Sequence, residues 1–395
     1  MRQGVADRLQ LRARHRLSLA TSLKIGGFLG LCAAALYLHR LPWSHWNRLY
    51  ELALAFAVAS YAALILRARL RNAAMIVASV ALSLTLIELC ALVSSAPPVD
   101  INTPGYNATD PVLGWQPGQP GVYHHRKLDG KTGAALFDVD YTIDANRHRQ
   151  VISAPAGPTV AFFGDSMTFG AGVSDADTLP QAFADITERR WRVLNLAVSG
   201  YGPQQFLRAL ETDLFRDQLA EARLFVFLTA PWHAERSACM RNFMFDAPSY
   251  ILADGHVIHV GACRDHWWVR LQRLWTRTAM NSVFVEPVFG SAGRPEIELY
   301  VATLIRAGQL ARDKYGAQTA ILYMADPPYT KRAGTDDREI IQRLRDGGLL
   351  VIQANLDAKA FPGQPLEIPG DGHPTAVANR ARALLVRDAM DALSR

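Results

Sequence analysis

Residues 159–170 read TVAFFGDSMTFG, an apolar run followed by a turn that contains glycine. The run Thr159–Phe163 has the length and the aromatic and branched composition of a buried parallel strand. Gly164 permits a sharp turn, so that Ser166 follows the strand where a helix can begin. Backbone N–H groups at such a helix start can bind an oxyanion. The stretch therefore predicts a nucleophilic serine at the carboxyl end of a strand.

Strand and helix patterns alternate from this stretch to the end of the chain. The predicted strands are Thr159–Phe163, Val193–Leu196, Leu224–Thr229, Thr319–Met324 and Leu349–Ile352. The predicted helices are Leu179–Arg190, Pro203–Leu219, Glu296–Tyr315, Asp336–Arg345 and Thr375–Leu393. This alternation predicts an α/β domain with a parallel sheet that helices cover on both faces, and with its sites at the strands' carboxyl ends. We assign it to residues 159–395, with an insertion at about 231–295.

The first hundred residues contain three apolar stretches: Leu19–Leu38, Leu49–Leu66 and Ala73–Val93. The second and third reach the ~18–20 residues that a membrane-spanning helix needs. Lys24 interrupts the first, for which a cleaved signal peptide is the competing interpretation, but no small-x-small cleavage site precedes the next stretch. We predict a membrane anchor of three transmembrane helices in residues 1–95, and a linker with a small β element in 96–158. Glu88 lies deep in the third stretch, where a buried polar contact is expected.

The arginines predict how this anchor is oriented. Five arginines precede the first stretch, and Arg67, Arg69 and Arg71 fill the short link between the second and the third. Because positive charge stays on the cytoplasmic side, the N-terminus and this link are expected in the cytoplasm. Three crossings then place everything after Val93 outside it, in the periplasm or at the cell exterior.

The basic balance of the sequence does not indicate a nucleic-acid partner. The net charge is +6, but the first 96 residues hold 11 of the 42 basic and only 3 of the 36 acidic residues. The remainder is therefore close to neutral and has no basic tract. The positive charge is a signal of membrane topology, and we predict no nucleic-acid binding.

The four cysteines divide between the same two regions. Cys32 and Cys90 lie in the apolar stretches, where packing is their expected role. Cys239 and Cys263 flank a predicted strand–turn–strand with Ala253-Asp254-Gly255 at its turn. A disulfide closing this hairpin suits an oxidising compartment, and two free buried thiols are the alternative. Paired spacings typical of a metal site are missing from the sequence, so no metal is predicted.

A second turn with catalytic residues, Asp371-Gly372-His373-Pro374, precedes the last predicted helix. A serine activated by a histidine that a carboxylate orients is a general design for acyl transfer. On this turn the Asp371 carboxylate can reach Nδ1–H of His373 while Nε2 faces outward. The turn thus predicts both the base and the group that orients it.

Together the two turns resemble the SGNH, or GDSL-like, hydrolase superfamily of esterases and acyltransferases. Gly164-Asp165-Ser166-x-Thr168-x-Gly170 resembles the family's first block and Asp371-x-His373-Pro374 its last, over about Thr159–Leu393. The resemblance implies a three-layer α/β/α, flavodoxin-like fold, with Ser166 as nucleophile, His373 as general base and Asp371 as its partner. It also implies an oxyanion hole that includes the Ser166 and Gly200 N–H groups. No cofactor is implied.

The sequence departs from the family pattern in two places. The family adds an oxyanion asparagine after the third strand, where this chain reads Thr229–Arg236 without one. His233 is the candidate substitute donor, and structural packing beside Trp232 is the alternative. The second departure is the single residue between Asp371 and His373, where two are common. This shorter form resembles envelope-polysaccharide acetylation enzymes and suggests glycan substrates.

The insertion contains a basic aromatic segment, HWWVRLQRLWTR, at residues 266–277. Trp268, Leu271 and Trp275 share one helical face. A helix that covers the core, one that rests on a membrane surface and one that lines a glycan groove all fit this pattern.

The expected function is that of a membrane-anchored, extracytoplasmic serine esterase or O-acyltransferase that acts on acetyl or similar groups of envelope glycans. Its expected partners are the membrane, an acylated glycan or other ester substrate, and a membrane protein that donates acyl groups. The alternatives are a catalytically silent glycan-binding or assembly module and a lipase that acts on membrane lipids.

Overall fold

The computed structural model describes residues 22–38, 46–276 and 278–393. The chain divides into two compact units. One comprises the described residues up to Pro97 together with the described part of Arg277–Glu286. The other comprises Pro98–Thr276 and Pro287–Arg395, as far as these are described.

The first unit begins with three apolar helices: α1 (Ser22–Leu38), α2 (Trp46–Ile65) and α3 (Ala68–Ser95). Among the described residues only α2 and α3 are long and apolar enough to cross a membrane, so two of the three predicted membrane helices are found there. The N-terminal arginines and Leu19–Thr21 lie outside the described residues.

Glu88 of α3 makes the buried polar contact that the sequence indicated. Its side chain is fully buried, and its two carboxylate oxygens accept hydrogen bonds from the N–H groups of Ala279 (2.7 Å) and Met280 (2.9 Å). Ala279 also packs in an apolar cluster with Leu49 and Leu92. A segment from the insertion therefore belongs to the unit that contains the membrane-type helices.

The second unit opens with five short strands: β1 (Val99–Asn102), β2 (Asn107–Asp110), β3 (Gly114–Pro117), β4 (Gly121–Leu128) and β5 (Ala135–Ile143). Strands β1, β4 and β5 form an antiparallel sheet, and β2 pairs with β3. The first part of the predicted linker, residues 96–120, thus contains three strands, β1 to β3. Their partners lie across turns or in β4, and the local sequence carries no signal of that pairing.

The main sheet has five parallel strands: β6 (Thr159–Phe163), β7 (Arg192–Asn195), β8 (Ala222–Thr229), β11 (Gln318–Tyr323) and β12 (Leu350–Gln353). Their order is β12-β11-β8-β6-β7, with β8 at the centre. Strand β6 leads into the segment of Ser166, and β8 leads into the segment of His233. All five residues of β6 are buried, as its apolar run predicted.

Helices cover both faces of this sheet. One face packs α6 (Pro203–Glu211), α10 (Arg294–Tyr315) and α12 (Asp337–Asp346) on side chains such as Phe163 and Phe227. The other face packs α5 (Leu179–Ile186) and α13 (Ala376–Leu393) on the alternate side chains, such as Phe162 and Val226. The α/β fold with a parallel sheet is therefore confirmed.

Further elements lie between and around these layers: α4 (Ser166–Phe169), α7 (His233–Ser237), β9 (Pro248–Ala253), β10 (His256–Ala262), α8 (Trp267–Thr276), α9 (Glu286–Phe289) and α11 (Pro327–Arg332). Strands β9 and β10 form the predicted hairpin in the insertion. Cys239 and Cys263 are joined by a disulfide at its base, with 5.5 Å between their Cα atoms. The predicted disulfide is present in the structure.

Candidate active site

Ser166 is the first residue of α4, directly beyond the end of β6. Gly164 has φ +148°, and a Cβ there would lie 2.4 Å from Oγ1 of Thr168, so the tight turn requires glycine. Asp165 caps the helix by accepting a hydrogen bond from the Met167 N–H at 3.0 Å. These local constraints fix the backbone that carries the serine.

Asp371 and His373 lie on a tight turn before α13, where Gly372 has φ +86°. The N–H groups of Asp371 and Gly372 both donate to the carbonyl of Ile368, and the N–H of Ile368 donates to the carbonyl of His373. Nδ1 of His373 lies 2.5 Å from Oδ2 of Asp371. The turn therefore sets the aspartate and the imidazole against each other, as their spacing predicted.

The structure brings both turns together at one site. Nε2 of His373 lies 2.9 Å from Oγ of Ser166, although 207 positions separate the two residues. An ionised Asp371 accepts from Nδ1–H, which leaves Nε2 of the neutral ring to accept the serine hydroxyl proton. The Asp371 side chain is fully buried and the His373 side chain is 24% exposed. This is the arrangement of a nucleophile, a base and an orienting acid.

Lys127 of β4 completes the surroundings of Asp371. Its Nζ donates to Oδ1 of Asp371 at 2.6 Å, while Oδ2 faces His373. Burial favours the neutral acid, but the hydrogen bonds from His373 and Lys127 hold the pKa of Asp371 well below its ordinary value. The sequence did not identify this lysine, because Lys127 lies 244 positions from Asp371 and its neighbouring residues give no sign of the contact.

The antiparallel sheet also supports the loop that follows Ser166. The hydroxyl of Tyr141 accepts a hydrogen bond from the Gly172 N–H at 2.8 Å and lies 3.0 Å from Nδ1 of His125. Nε2 of His125 lies 3.0 Å from Oδ1 of Asp100. Burial raises the pKa of Tyr141 to about 12, so the tyrosine remains protonated. The small β element is thus in contact with the turn of Asp371 and with the loop after Ser166.

His233 does not have a free ring N–H for an oxyanion, contrary to the sequence-based expectation. Its Nε2 is 3.1 Å from Oδ2 of Asp165, and its Nδ1 is 2.8 Å from Oγ1 of Thr229. The side chain is 1% exposed, so no ring N–H remains to stabilise a substrate oxyanion. The prediction of His233 as an oxyanion donor is therefore wrong, and the alternative, a buried structural histidine, describes it.

Arg236 is the charge partner of Asp165, the buried aspartate that follows β6. Its guanidinium donates to Oδ2 of Asp165 at 2.8 Å and to the carbonyl of Tyr201 at 2.6 Å. Burial would raise the pKa of Asp165, but the charge of Arg236 and the hydrogen bond from His233 keep that pKa well below its usual range. Burial, reinforced by Arg236, lowers the pKa of His233, which is therefore a neutral donor to Asp165.

Two backbone donors remain as candidates for the oxyanion hole. Within the described residues, neither the Ser166 N–H nor the Gly200 N–H has a hydrogen-bond partner. Gly200 has φ +88°, and a Cβ there would lie 3.2 Å from Trp115 and 3.4 Å from Phe243. Gly200 therefore needs to be glycine for its conformation and for the close approach of these rings.

No family model and no curated protein matches the sequence. Solved structures do resemble its fold. The crystal structure of TesA is 14% identical, covers 60% of this chain and 99% of its own, and gives a TM-score of 0.34. A G-D-S-L family lipolytic protein from Desulfitobacterium hafniense is 10% identical, with coverages of 59% and 99% and a TM-score of 0.35. The esterase EstA from Pseudoalteromonas is 14% identical, with coverages of 60% and 97% and a TM-score of 0.34.

Proposed function

We propose that this chain is a serine ester hydrolase or O-acyltransferase of SGNH type. The observation that carries the proposal is the continuous contact from Asp371 to His373 to Ser166, with 2.5 Å and 2.9 Å between the successive atoms. A serine with a base and an orienting acid at these distances is suited to attack an acyl carbon.

In the first half-reaction, Oγ of Ser166 bonds to the acyl carbon while Nε2 of His373 takes the hydroxyl proton. The ionised Asp371 stabilises the imidazolium that forms. The Ser166 and Gly200 N–H groups donate to the oxyanion of the tetrahedral intermediate. Collapse expels the leaving alkoxide, which receives the proton from His373, and an acyl-serine remains. Water or an acceptor hydroxyl then attacks this ester, with His373 as base again.

His233 is engaged elsewhere, so this mechanism has no side-chain oxyanion donor among the residues discussed. Loss of one such donor costs about 2.7–4 kcal/mol in a serine protease. We expect a slow enzyme unless the substrate adds its own donor. The same feature supports the second candidate, a non-catalytic glycan-binding module.

We further propose that the catalytic unit lies outside the cytoplasm, anchored in the membrane by α2 and α3. Arg67, Arg69 and Arg71 lie at the junction of these two helices. If this junction is cytoplasmic, the C-terminal end of α3 lies outside the cytoplasm, whether or not the first apolar stretch also crosses the membrane. The disulfide between Cys239 and Cys263 is consistent with an oxidising compartment.

Acyl groups on envelope glycans, acetyl above all, are the proposed substrates. The single residue between Asp371 and His373, as in envelope-polysaccharide acetylation enzymes, supports this choice, as does the extracytoplasmic placement. If the chain transfers acyl groups, a membrane protein that supplies them is the expected partner. A lipase acting on the surrounding bilayer is the competing assignment.

The direct test is covalent labelling of the full-length chain in detergent by a fluorophosphonate probe. We expect labelling of the native chain and none of Ser166→Ala. Absence of Ser166-dependent labelling would support the binding module instead. Release of acetate from p-nitrophenyl acetate, from acetylated glycans and from phospholipid vesicles then separates a glycan esterase from a lipase.

A further inference from the structure

A buried amide joins the two segments that carry the candidate oxyanion donors. Asn195 is the last residue of β7 and is 1% exposed. Its Nδ2 donates to the carbonyls of Thr168 and Phe169, at 3.3 Å each, in the helix α4 that begins with the nucleophile. Its Oδ1 accepts a hydrogen bond from the N–H of Ala197 at 3.3 Å. One side chain thus connects α4 with the segment that leads to Gly200.

The carboxyl end of α4 depends on this amide. The last carbonyl groups of a helix have no partner within it and need donors from elsewhere. The N–H of Gly170 donates to the carbonyl of Ser166. Within the described residues, no backbone N–H donates to the carbonyl of Thr168 or of Phe169. The two hydrogen bonds from Asn195 therefore fix the end of the helix whose first residue is the nucleophile.

The segment before Gly200 is held by the same amide and by the turn that follows β6. The N–H of Val198 donates to the carbonyl of Gly164 at 3.2 Å, and the N–H of Ala197, one position earlier, donates to Asn195. Gly200 follows two residues after Val198, in the left-handed conformation with φ +88°. The direction of its N–H is therefore set by a backbone that these contacts hold in place.

A buried amide needs hydrogen-bond partners in any case, so satisfaction alone does not make it functional. Gln181 shows the purely structural case. It is 4% exposed, its Oε1 accepts from the N–H of Ile152 at 2.7 Å, and its Nε2 donates to the carbonyl of Ile152 at 3.1 Å. Gln181 thus holds a segment without a candidate oxyanion donor, whereas the partners of Asn195 lie in the two segments that have one.

We propose that Asn195 is a positioning residue for the oxyanion hole, which fixes the N–H groups of Ser166 and Gly200 relative to each other. This inference rests on the acyl-transfer function proposed above. Donors of an oxyanion hole are effective only when they already lie about 2.7–3.1 Å from the position that the oxyanion will take. Because His233 is engaged elsewhere, two backbone groups carry this task, and an error in their separation is not compensated by a side chain.

The test compares p-nitrophenyl acetate with its thionoester, in which sulfur replaces the carbonyl oxygen. Sulfur is a weak hydrogen-bond acceptor, so the thionoester gains little from the oxyanion hole. The ratio of the two kcat values, oxygen ester over thionoester, therefore reports the oxyanion hole. The ratio does not depend on the fraction of the preparation that is folded. It is measured on the full-length chain in detergent for the native protein, Asn195→Leu, the smaller and polar Asn195→Ser, and the control Gln181→Leu.

We expect the ratio to fall by at least about tenfold in Asn195→Leu, since loss of a whole oxyanion donor costs about 10²–10³ in kcat. A smaller fall is expected in Asn195→Ser, which decides the matter if Asn195→Leu does not fold. Gln181→Leu should keep the native ratio even where its Tm is lowered. A native ratio in the Asn195 variants would overturn the positioning role and leave the proposed function standing. A native chain without Ser166-dependent turnover would overturn both.

Discussion

Two clusters at the carboxyl edge of the sheet contain the same three kinds of side chain. In one, Asp371 contacts His373 and Lys127; in the other, Asp165 contacts His233 and Arg236. Both carboxylates are buried, and in both the histidine and the cation hold the pKa of the aspartate below its ordinary value against the effect of burial.

The clusters differ in what the second ring nitrogen of each histidine faces. Nε2 of His373 faces the serine hydroxyl, and the ring is partly open to solvent. Nδ1 of His233 is held by Thr229, and the ring is enclosed. An Asp–His–cation cluster can therefore either activate a neighbouring hydroxyl or have only a structural role, according to the partner and the solvent access of the second ring nitrogen of its histidine. Composition alone does not distinguish the two cases.

The largest expected effect comes from exchanging each histidine for glutamine. His373→Gln removes the base, so kcat for p-nitrophenyl acetate should fall by a factor on the order of 10⁴–10⁶, as in serine proteases. Its Tm should change little, because the ring is partly exposed. His233→Gln should lower the Tm, since its hydrogen bonds are buried and worth roughly 1–3 kcal/mol, while kcat stays within about tenfold.

Steady-state kinetics and thermal unfolding of the same preparations distinguish these outcomes. A His233→Gln variant with native Tm and a kcat as low as that of His373→Gln would contradict the comparison and restore His233 as an oxyanion donor.

The sequence predicted the contacts of Asp371, His373 and Ser166 better than those of Asp165 and His233, for a local reason. A strand followed by Gly-Asp-Ser, and a turn with Asp and His two apart, each constrain geometry over a few residues. His233 was misplaced because its partners, Asp165 and Thr229, are fixed by how β6 and β8 pair, which the segment itself does not encode. Lys127 was missed because its contact with Asp371 forms only when the small antiparallel sheet packs against the turn of Asp371 and His373. The sequence around Lys127 does not indicate that packing.

A smaller effect is expected from removing the cation of the structural cluster. Arg236→Met leaves the Asp165 carboxylate buried with one charge partner fewer, a loss of about 3–5 kcal/mol that should lower the Tm by several degrees. Arg189→Met is the control, because its ion pair with Asp185 is on the surface and is worth less than about 1 kcal/mol.

The effect of Arg236→Met should depend on pH in a defined direction. The folded-state pKa of Asp165 is below that of the unfolded chain, about 3.9, so ionised Asp165 stabilises the fold above roughly pH 4. This contribution is lost as the pH falls through the folded-state value. The Tm difference between native and variant chains should therefore be large at pH 7 and shrink in acid. A difference that is constant across this range would argue against the charge pairing.

The smallest effect is expected from Lys127, which acts on the catalytic aspartate from outside the triad. Lys127→Met removes one of the two hydrogen bonds that lower the pKa of Asp371, while burial, which raises it, remains. The carboxylate then takes up its proton at higher pH, so the acid limb of the kcat/KM profile should move to higher pH. Removing a hydrogen bond between charged groups costs roughly 1.5–3 kcal/mol. Near pH 8, where Asp371 is ionised, part of this cost is recovered. The kcat/KM of the variant should therefore be within about tenfold of the native value at that pH. Lys127→Arg keeps the charge and should leave the acid limb close to its native position. If Lys127→Met instead lowers kcat/KM by the same factor at every pH, the lysine supports the turn only by packing. Lys127 then does not lower the pKa of its aspartate as Arg236 does.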